Sequence, residues 1–219
     1  VDQLIFLKKN LKIGQMSVIQ ANDGKCIIIE VLVNDDIFRF INIHAPNVED
    51  DRKKCFMDLN WWINNKTIII GDFNVVLSSR DSSRNNAYKN DSSRTVLKNI
   101  ISGSNLINAW RELHPNTRGF SRRQIVRGRL KQSRIDLALE ASGMIRQSYD
   151  IEYIFSTWSD HAQIQLKLGD GTTLHHMSFS GRFYPKRRTI SAFNHRVQTQ
   201  ENKKQESAIS SNKPIYNLL

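Results

Sequence analysis

The chain has 219 residues, of which 39% are apolar and 24% are charged. This length suits one domain with or without a tail, and the composition excludes a wholly disordered chain and a coiled coil. No apolar run approaches the ~20 residues that a membrane-spanning helix needs, which excludes a membrane-spanning protein. The net charge of +11 favours the interpretation that the protein binds a polyanionic partner. Such a partner would be nucleic acid, a membrane surface or phosphorylated small molecules. The alternative is that the charge only keeps the protein soluble.

The two cysteines, Cys26 and Cys55, both have apolar neighbours. This setting favours buried free thiols over a disulfide, and a reducing compartment over secretion. The chain begins at Val1 with no visible signal peptide, and it opens in a predicted strand. We therefore expect a fragment of a longer protein that is not secreted.

The first third of the chain has the pattern of short strands around one helix. Turns are predicted at Asn22-Asp23-Gly24 and at Asn34-Asp35-Asp36. A helix should then begin with Asn47 as its N-cap, because acidic residues fill its first turn and apolar residues recur at helical spacing. The β-branched run after it predicts a strand buried on both faces, which makes an α/β pattern. The predicted strands are 4–7, 16–20, 25–33, 37–43 and 67–70.

The rest of the chain continues this pattern with less regularity. Residues 78–94 are predicted to form a polar loop, and residues 96–110 two short helices. Beyond the last strand the periodicity fades, and the remaining chain is basic and rich in Ser, Asn and Gln. The sequence therefore predicts a folded domain over 1–174 and a disordered basic tail over 175–219. The later predicted strands are 135–139, 151–155 and 162–168.

Polar clusters lie at the ends of several predicted strands, where ligands bind in α/β sheets. In the sharpest, Asp72 and Asn74 directly follow the buried strand, and on an extended backbone they point to the same side. The carboxylate can accept a proton or bind a metal, while the carboxamide can donate to a phosphate. An ordinary Asp-Asn turn that closes the strand is the alternative.

Three further clusters share this placement. Asp160 and His161 form a candidate acid–base or metal pair, with a plain surface dipeptide as the alternative. Asp136 lies inside an apolar strand and needs a partner, since an unpaired buried carboxylate is costly; a histidine or Arg134 can supply it. His44 marks the end of another predicted strand. Polar clusters at the ends of four predicted strands are far less expected by chance than a single such cluster.

The motifs Asn-Ile-His-Ala-Pro-Asn, Gly-Asp-Phe-Asn, Ser-Arg-Ile-Asp and Ser-Asp-His occur in this order. In this set the chain resembles the endonuclease/exonuclease/phosphatase superfamily. Residues 106–121 are similar to a segment typical of the apurinic-endonuclease-like domain of non-LTR (LINE-type) retrotransposons. The resemblance covers residues 6–168 and implies a DNase I-like fold, a four-layer α/β sandwich of two packed mixed β-sheets flanked by helices.

The resemblance also implies an enzyme that hydrolyses phosphodiester bonds and nicks one strand of DNA. In that family pattern Asp72 would orient or deprotonate the attacking water, and Asn74 would contact the scissile phosphate. His161 would bind a phosphate oxygen and be held by Asp136, while His44 would help to position the phosphate.

A divalent metal, Mg²⁺ or Mn²⁺, is the cofactor that the resemblance implies. Its ligands would be Asp160 and Asp72. Carboxylate oxygens select these ions over zinc, and the sequence has no Cys/His cluster at zinc spacing.

The chain departs from the family pattern at its start. The family's first metal-binding Asn and its metal-binding Glu both precede a strand like 4–7, which implies an N-terminally truncated domain. Glu30 is the only acid in the middle of an early strand, and its context does not match that Glu. Arg122 replaces the aromatic residue that usually follows the hydroxyl residue. We therefore expect the chain to lose orders of magnitude in activity.

A basic segment is predicted to reach the DNA backbone as a hairpin, with a solvated loop as the alternative. We expect DNA as the partner, no membrane and a monomer, in the nucleus or cytoplasm. The candidate DNA-binding residues are Arg118, Arg122, Arg123, Arg127, Arg129 and Lys131.

Two other functions stay open at this point. The chain could be a catalytically dead remnant that binds nucleic acid through its basic surface, which the missing Glu favours. It could also be a phosphatase of the same superfamily that acts on phosphorylated small molecules. The retrotransposon-like segment around Trp110 and the excess of Arg argue against the phosphatase.

Overall fold

A computed structural model describes residues 4–7, 16–21, 25–33, 36–144, 148–157, 159–169 and 174–180. The chain divides into two units, Val1–Phe183 and Tyr184–Leu219, and every described residue lies in the first. In the described part of the chain, no helix is both long enough and apolar enough to cross a membrane.

The strands fall into three sheets. The largest has six strands in the order β2-β3-β4-β5-β9-β6, a second has four in the order β1-β12-β11-β10, and β7 and β8 form a two-stranded hairpin. In chain order they are β1 (Leu4–Leu7), β2 (Met16–Ala21), β3 (Cys26–Val33), β4 (Asp36–His44), β5 (Thr67–Asp72), β6 (Leu106–Asn108), β7 (Arg122–Val126), β8 (Arg129–Ser133), β9 (Asp136–Ala141), β10 (Ser148–Phe155), β11 (Ala162–Gly169) and β12 (Leu174–Ser180).

Three α-helices connect these strands: α1 (Glu49–Asn60), α2 (Ser92–Gly103) and α3 (Ala109–Leu113). The crossover through α1 makes β4 and β5 parallel, because parallel neighbours need a long connection between them. The described pairs of the four-stranded sheet are all antiparallel. The predicted fold class is therefore confirmed, with one correction: only the six-stranded sheet is mixed.

One cluster of buried apolar residues includes members of both larger sheets. The strand β5 is buried along its whole length, as its run of isoleucines predicted. Its Ile69 shares the core with Leu137 of β9 and with Ile164 and Leu166 of β11. The helix α1 adds Phe56 to the same core. This packing holds the strand ends that carry the polar clusters in fixed positions.

The N-cap and the polar loop differ from the prediction. The N-cap of α1 is Val48, which makes no side-chain capping bond. The Asn47 carbonyl instead accepts a hydrogen bond of 2.7 Å from the buried Arg52. The predicted loop ends at Asp91, whose carboxylate caps α2 by accepting from the Ser93 N–H.

The end of the predicted domain also needs correction. Residues from 175 were expected to be a disordered tail, but Leu174–Ser180 forms β12 and pairs with β11 and β1. Backbone pairing to the long edge of β11 stabilises a segment whose side-chain pattern is weak, because strand formation depends on context. The remaining predicted tail, and the turn at Asn22-Asp23-Gly24, lie outside the described residues.

Candidate active site

Three adjacent strands bring three predicted site residues to one end of the six-stranded sheet. His44 is the register partner of Asp72 in the parallel pair β4–β5. Asp72 is in turn the register partner of Asp136 in the antiparallel pair β5–β9. Sequence patterns placed each residue at a strand end, and the sheet register places the three side by side.

His161 joins this row from the other sheet. Its Nδ1 lies 2.9 and 3.1 Å from the two carboxylate oxygens of Asp136, and 3.9 Å from Asp72 Oδ2. The side chains of His161 and Asp136 are almost fully buried. The partner of Asp136 is thus the histidine. Arg134, the other candidate, pairs with the buried carboxylate of Asp81 at 2.7 Å instead.

The environment of His161 favours its charged form. Burial disfavours the imidazolium, but the hydrogen bond with Asp136 and the negative charges of Asp136, Asp72 and Asp160 outweigh it and raise the pKa of His161. Its Nε2 is buried and has no hydrogen-bond partner among the described residues. Because Nδ1 is held by Asp136, Nε2 is the nitrogen that can meet a substrate oxygen.

Asp72 and Asn74 do not lie on one extended backbone as predicted. Asn74 has a φ of 50°, in the left-handed region that Asn tolerates. Asp72 Oδ1 accepts the Asn74 N–H at 2.9 Å, which folds the chain back in a turn. The Asn74 carboxamide donates to the Ala45 carbonyl at 2.6 Å, so the two residues are still held together at the strand end.

Gly71 allows this close approach of β5 to β4. Its φ is 143°, and a Cβ there would lie 2.0 Å from the Ile43 carbonyl oxygen. His44 Nε2 consequently lies 3.8 Å from Asp72 Oδ2 across the two strands. Any side chain at Gly71 would separate them.

Two residues that sequence reasoning did not assign support Asp136. The buried Ser121 hydroxyl accepts the backbone N–H groups of Ile135 and Asp136 at 3.0 and 2.9 Å. The Tyr153 hydroxyl donates to the Asp136 carbonyl at 2.9 Å, and loss of solvent raises the pKa of Tyr153 to about 12. The hydroxyl residue in Phe-Ser-Arg was the only sequence signal for either.

Asp160 lies next to this cluster and is half-exposed. Its Oδ2 accepts a hydrogen bond of 3.0 Å from Arg122 Nε. Partial burial opposes ionisation, yet the hydrogen bond from Arg122 and the nearby charge of His161 hold the pKa of Asp160 below its usual range. Among the described residues, the group that could hold a metal ion is Asp72, Asp136 and His161, with donor atoms within 4.8 Å of one another.

Glu30 lies away from this site. It is the register partner of Arg39 on β4 and forms an ion pair with it. Arg39 precedes His44 by five residues, which is about 16 Å along a strand. Glu30 therefore does not supply a carboxylate at the strand ends.

The basic segment forms the predicted hairpin. Arg127 and Gly128 make its turn with φ values of 50° and 72°. Arg123 stacks on Phe155, with its guanidinium 3.7 Å from the ring centroid. Most of the hairpin's basic side chains are exposed, including Arg123, Arg127 and Arg129, as is Arg118 just before it.

The polar loop attaches this hairpin to the cluster. The Ser83 N–H donates to the Gln132 carbonyl at 2.9 Å, and Asn85 donates to the Leu130 carbonyl at 3.2 Å. Beside the cluster opens a depression of about 270 Å³ whose lining includes Asn74, Arg122 and Ser133. The hairpin, the loop and the strand ends thus form one continuous polar surface.

Known proteins share this arrangement of strands. An AP endonuclease from Archaeoglobus fulgidus superposes with a TM-score of 0.54 at 14% identity, covering 80% of this chain and 78% of that one. The endonuclease domain of TRAS1, a telomere-specific non-LTR retrotransposon, superposes with a TM-score of 0.53 at 12% identity, covering 84% and 81%. The protein has a DNase I-like fold. The resemblance drawn from its motifs is confirmed at the level of fold.

A sequence relative points the same way. The "Transposon TX1 uncharacterized 149 kDa protein" of Xenopus laevis is 28% identical over 164 residues. The match covers 73% of this chain and 12% of that protein, so the chain spans only a small part of its relative's length. No family model matches the chain.

Proposed function

We propose that this chain is a metal-dependent endonuclease that nicks one strand of DNA. The observation that carries the proposal is the buried Asp136–His161 pair beside Asp72, at the strand ends of a DNase I-like endonuclease fold. A carboxylate and an imidazolium with a defined free nitrogen can activate a water and stabilise charge on a phosphate, as phosphodiester hydrolysis requires.

Asp72 is suited to act on the attacking water. Its Oδ1 is engaged by the Asn74 N–H, which fixes the carboxylate plane. Two imidazole nitrogens lie near the other carboxylate oxygen, Oδ2: His44 Nε2 at 3.8 Å and His161 Nδ1 at 3.9 Å. A carboxylate fixed in this way orients a water molecule and accepts its proton as the water attacks phosphorus.

His161 and Asn74 are suited to bind the phosphate. The imidazolium of His161, stabilised by Asp136, donates from Nε2 to a phosphate oxygen and neutralises charge that develops there. Asn74 lies beside Asp72 and lines the depression, where its carboxamide can contact the same phosphate. His44 is placed to contact the phosphate from the neighbouring strand.

The donor chemistry of the site fits Mg²⁺ or Mn²⁺, since its carboxylates offer the hard oxygens these ions prefer. Asp72 and Asp160 are the residues that would hold the ion, as the family pattern implies, while Asp136 pairs with His161. A bound ion would supply positive charge to the phosphate oxygens and to the leaving oxygen.

DNA is the proposed substrate because of the basic surface beside the cluster. Phosphate contacts by Lys and Arg supply most of the affinity of non-specific DNA binding. The residues proposed for these contacts are Arg118, Arg122, Arg123, Arg127, Arg129 and Lys131. Cys26 and Cys55 are buried and form no disulfide with each other, which supports a nuclear or cytoplasmic location.

The test is nicking of supercoiled plasmid by the full chain with Mg²⁺ and with a chelator. Asp72→Asn removes the proposed base and should lower the nicking rate by about a thousandfold, because general-base catalysis contributes typically 10²–10⁴-fold. Asp58→Asn, an exposed carboxylate on α1, is the matched control and should nick normally.

Three outcomes would contradict the proposal. A folded chain that binds plasmid without nicking it in either metal would be a nucleic-acid-binding remnant. A chain that releases phosphate from inositol phosphates and leaves DNA intact would be a phosphatase. Nicking that persists in Asp72→Asn would assign the activity to a contaminant or to another site.

A further inference from the structure

Arg122 is set apart from the other basic residues of the hairpin. It begins β7 and forms a bridge with His161, and the following residue, Arg123, donates its N–H to the Asp160 carbonyl. Its side chain is 30% exposed, and it lines the depression that also holds Asn74. The start of the hairpin is therefore part of the strand-end cluster, whereas the turn residues Arg127 and Gly128 do not line the depression.

Only part of the Arg122 guanidinium is used in this structure. Nε donates to Asp160 Oδ2 at 3.0 Å, and the two terminal nitrogens have no hydrogen-bond partner among the described residues. A guanidinium presents its donors as a planar fork that matches phosphate as well as carboxylate. Arg122 lines the depression together with Asn74, which is proposed to bind phosphate.

Asp160 cannot serve two cations equally well. Its carboxylate is the proposed metal ligand, yet in this structure the charge of Arg122 already balances it. The pair is weakly held, because both side chains are partly exposed and solvent screens them. Exchange of partners at Asp160 is therefore inexpensive.

We infer that Arg122 alternates between Asp160 and a DNA phosphate, and so couples metal binding to DNA binding. Without DNA, Arg122 stays on Asp160 and competes with the divalent ion. When a phosphate enters the depression, Arg122 moves to it and releases Asp160 for the ion. The inference rests on the proposed function, since it takes Asp160 as metal ligand and DNA as substrate. By thermodynamic linkage, metal must then tighten DNA binding as much as DNA tightens metal binding.

The first test measures Mn²⁺ binding to the full chain without DNA, from the electron paramagnetic resonance signal of free Mn²⁺. Arg122→Gln removes the competitor and should tighten Mn²⁺ binding by roughly two- to fivefold, the range expected for a partly exposed ion pair. Arg123→Gln is the matched control. It removes the same charge one residue away, on a side chain that stacks on Phe155. Equal effects of the two substitutions would overturn the inference, because they would reflect net charge alone.

The second test measures the affinity for a fluorescent DNA duplex in chelator, so that no metal contributes. Asp160→Asn removes the ion-pair partner of Arg122 and should therefore strengthen DNA binding. The gain should be larger when Arg122 is present than when Asp160→Asn is combined with Arg122→Gln. The parallel cycle with Arg123→Gln should be additive. Additivity in the Arg122 cycle would overturn the inference.

A charge-conserving variant covers the case in which Arg122→Gln does not fold. Arg122→Lys keeps one positive charge but lacks the planar fork, so it should compete with Mn²⁺ like the wild type and bind DNA more weakly. Wild-type DNA affinity in this variant would overturn the inference. All these readouts are binding constants, so loss of nicking would contradict the proposed function and leave the coupling measurable.

Discussion

Asp72 and Asp136, at the ends of β5 and β9, are almost fully buried, whereas the side chains around the turn of hairpin β7–β8 are exposed. The Asp72 carboxylate accepts the Asn74 N–H, while Asp136 pairs with His161 and donates its own backbone N–H to the Ser121 hydroxyl. Arg127 and Arg129 make no ion pair among the described residues. Buried, hydrogen-bonded groups are preorganised for chemistry, while exposed arginines supply charge that needs no fixed geometry. The difference suggests that chemistry and affinity can be altered separately.

The largest difference between the effect on nicking rate and the effect on DNA affinity is expected for Asp136→Asn. The substitution removes the charge that holds the His161 imidazolium, so we expect the nicking rate to fall by about a hundredfold or more. The affinity for duplex DNA in chelator should stay within about twofold, because the Asp136 carboxylate pairs with His161 and not with the basic side chains of the hairpin. Parallel loss of rate and affinity would show that the two regions do not act separately. Ser159→Ala is the control for local disturbance, since the Ser159 hydroxyl accepts the backbone N–H of His161. It tests whether disturbance near His161 alone lowers the nicking rate.

Substitution of Asp81 should affect both the strand-end cluster and the hairpin β7–β8. Its carboxylate accepts from Arg134 and Arg111, and it belongs to the loop that holds the hairpin. Asp81→Asn leaves buried guanidinium charge unpaired, so we expect the free energy of unfolding to fall by about 3–5 kcal/mol. Urea denaturation measures this loss. Arg80→Gln, an exposed neighbour, should change stability by less than about 0.5 kcal/mol.

The hairpin turn should affect affinity alone. In the double variant Arg127→Gln/Arg129→Gln, the slope of log affinity against log salt should shrink by about 2, since each lost phosphate contact contributes about 0.9. Nicking at saturating DNA should be unchanged. Fluorescence anisotropy at several salt concentrations gives the slope. Lys98→Gln on α2 is the control and should leave it unchanged.

The smallest effect concerns acid. Burial opposes ionisation of Asp91, but its hydrogen bonds with Ser93 and Arg52 hold its pKa below the usual range. A lowered folded-state pKa stabilises the fold above the unfolded pKa, and this contribution is lost as pH falls below about 4. Asp91→Asn, which keeps a capping side chain, should therefore lose less stability than the wild type between pH 5 and 3. Thermal denaturation at each pH measures the difference, and identical pH profiles would contradict it.

Much of the fold could be predicted because the strands have strong local patterns. The buried run in β5, the alternation in β4 and the helical spacing in α1 each reflect which faces are covered. β6 and β12 were missed because the first has only three residues and the second has a weak pattern. Their backbone pairing to β9 and β11 depends on neighbours that are distant in sequence.

The site residues were predicted one by one, and their partners were not. Asp136 needed a buried partner on energetic grounds, yet local sequence could not choose between His161 and Arg134. In the structure Arg134 donates to Asp81, which lies 53 residues away in the chain, so Asp136 is left to pair with His161. Likewise, the sequence placed Arg122 among DNA-binding arginines, and only the bridge to His161 shows that it reaches Asp160.

The sequence by itself determined the α/β pattern, most of the strands and the residue types at their ends, because periodicity and turn chemistry are local properties. The tertiary structure decided which of those residues form pairs. Pairing requires sheet register and side-chain packing between segments far apart in the chain, as in the row His44, Asp72 and Asp136. A chemical site is made of such pairs, so its geometry exists only once the sheets have packed together.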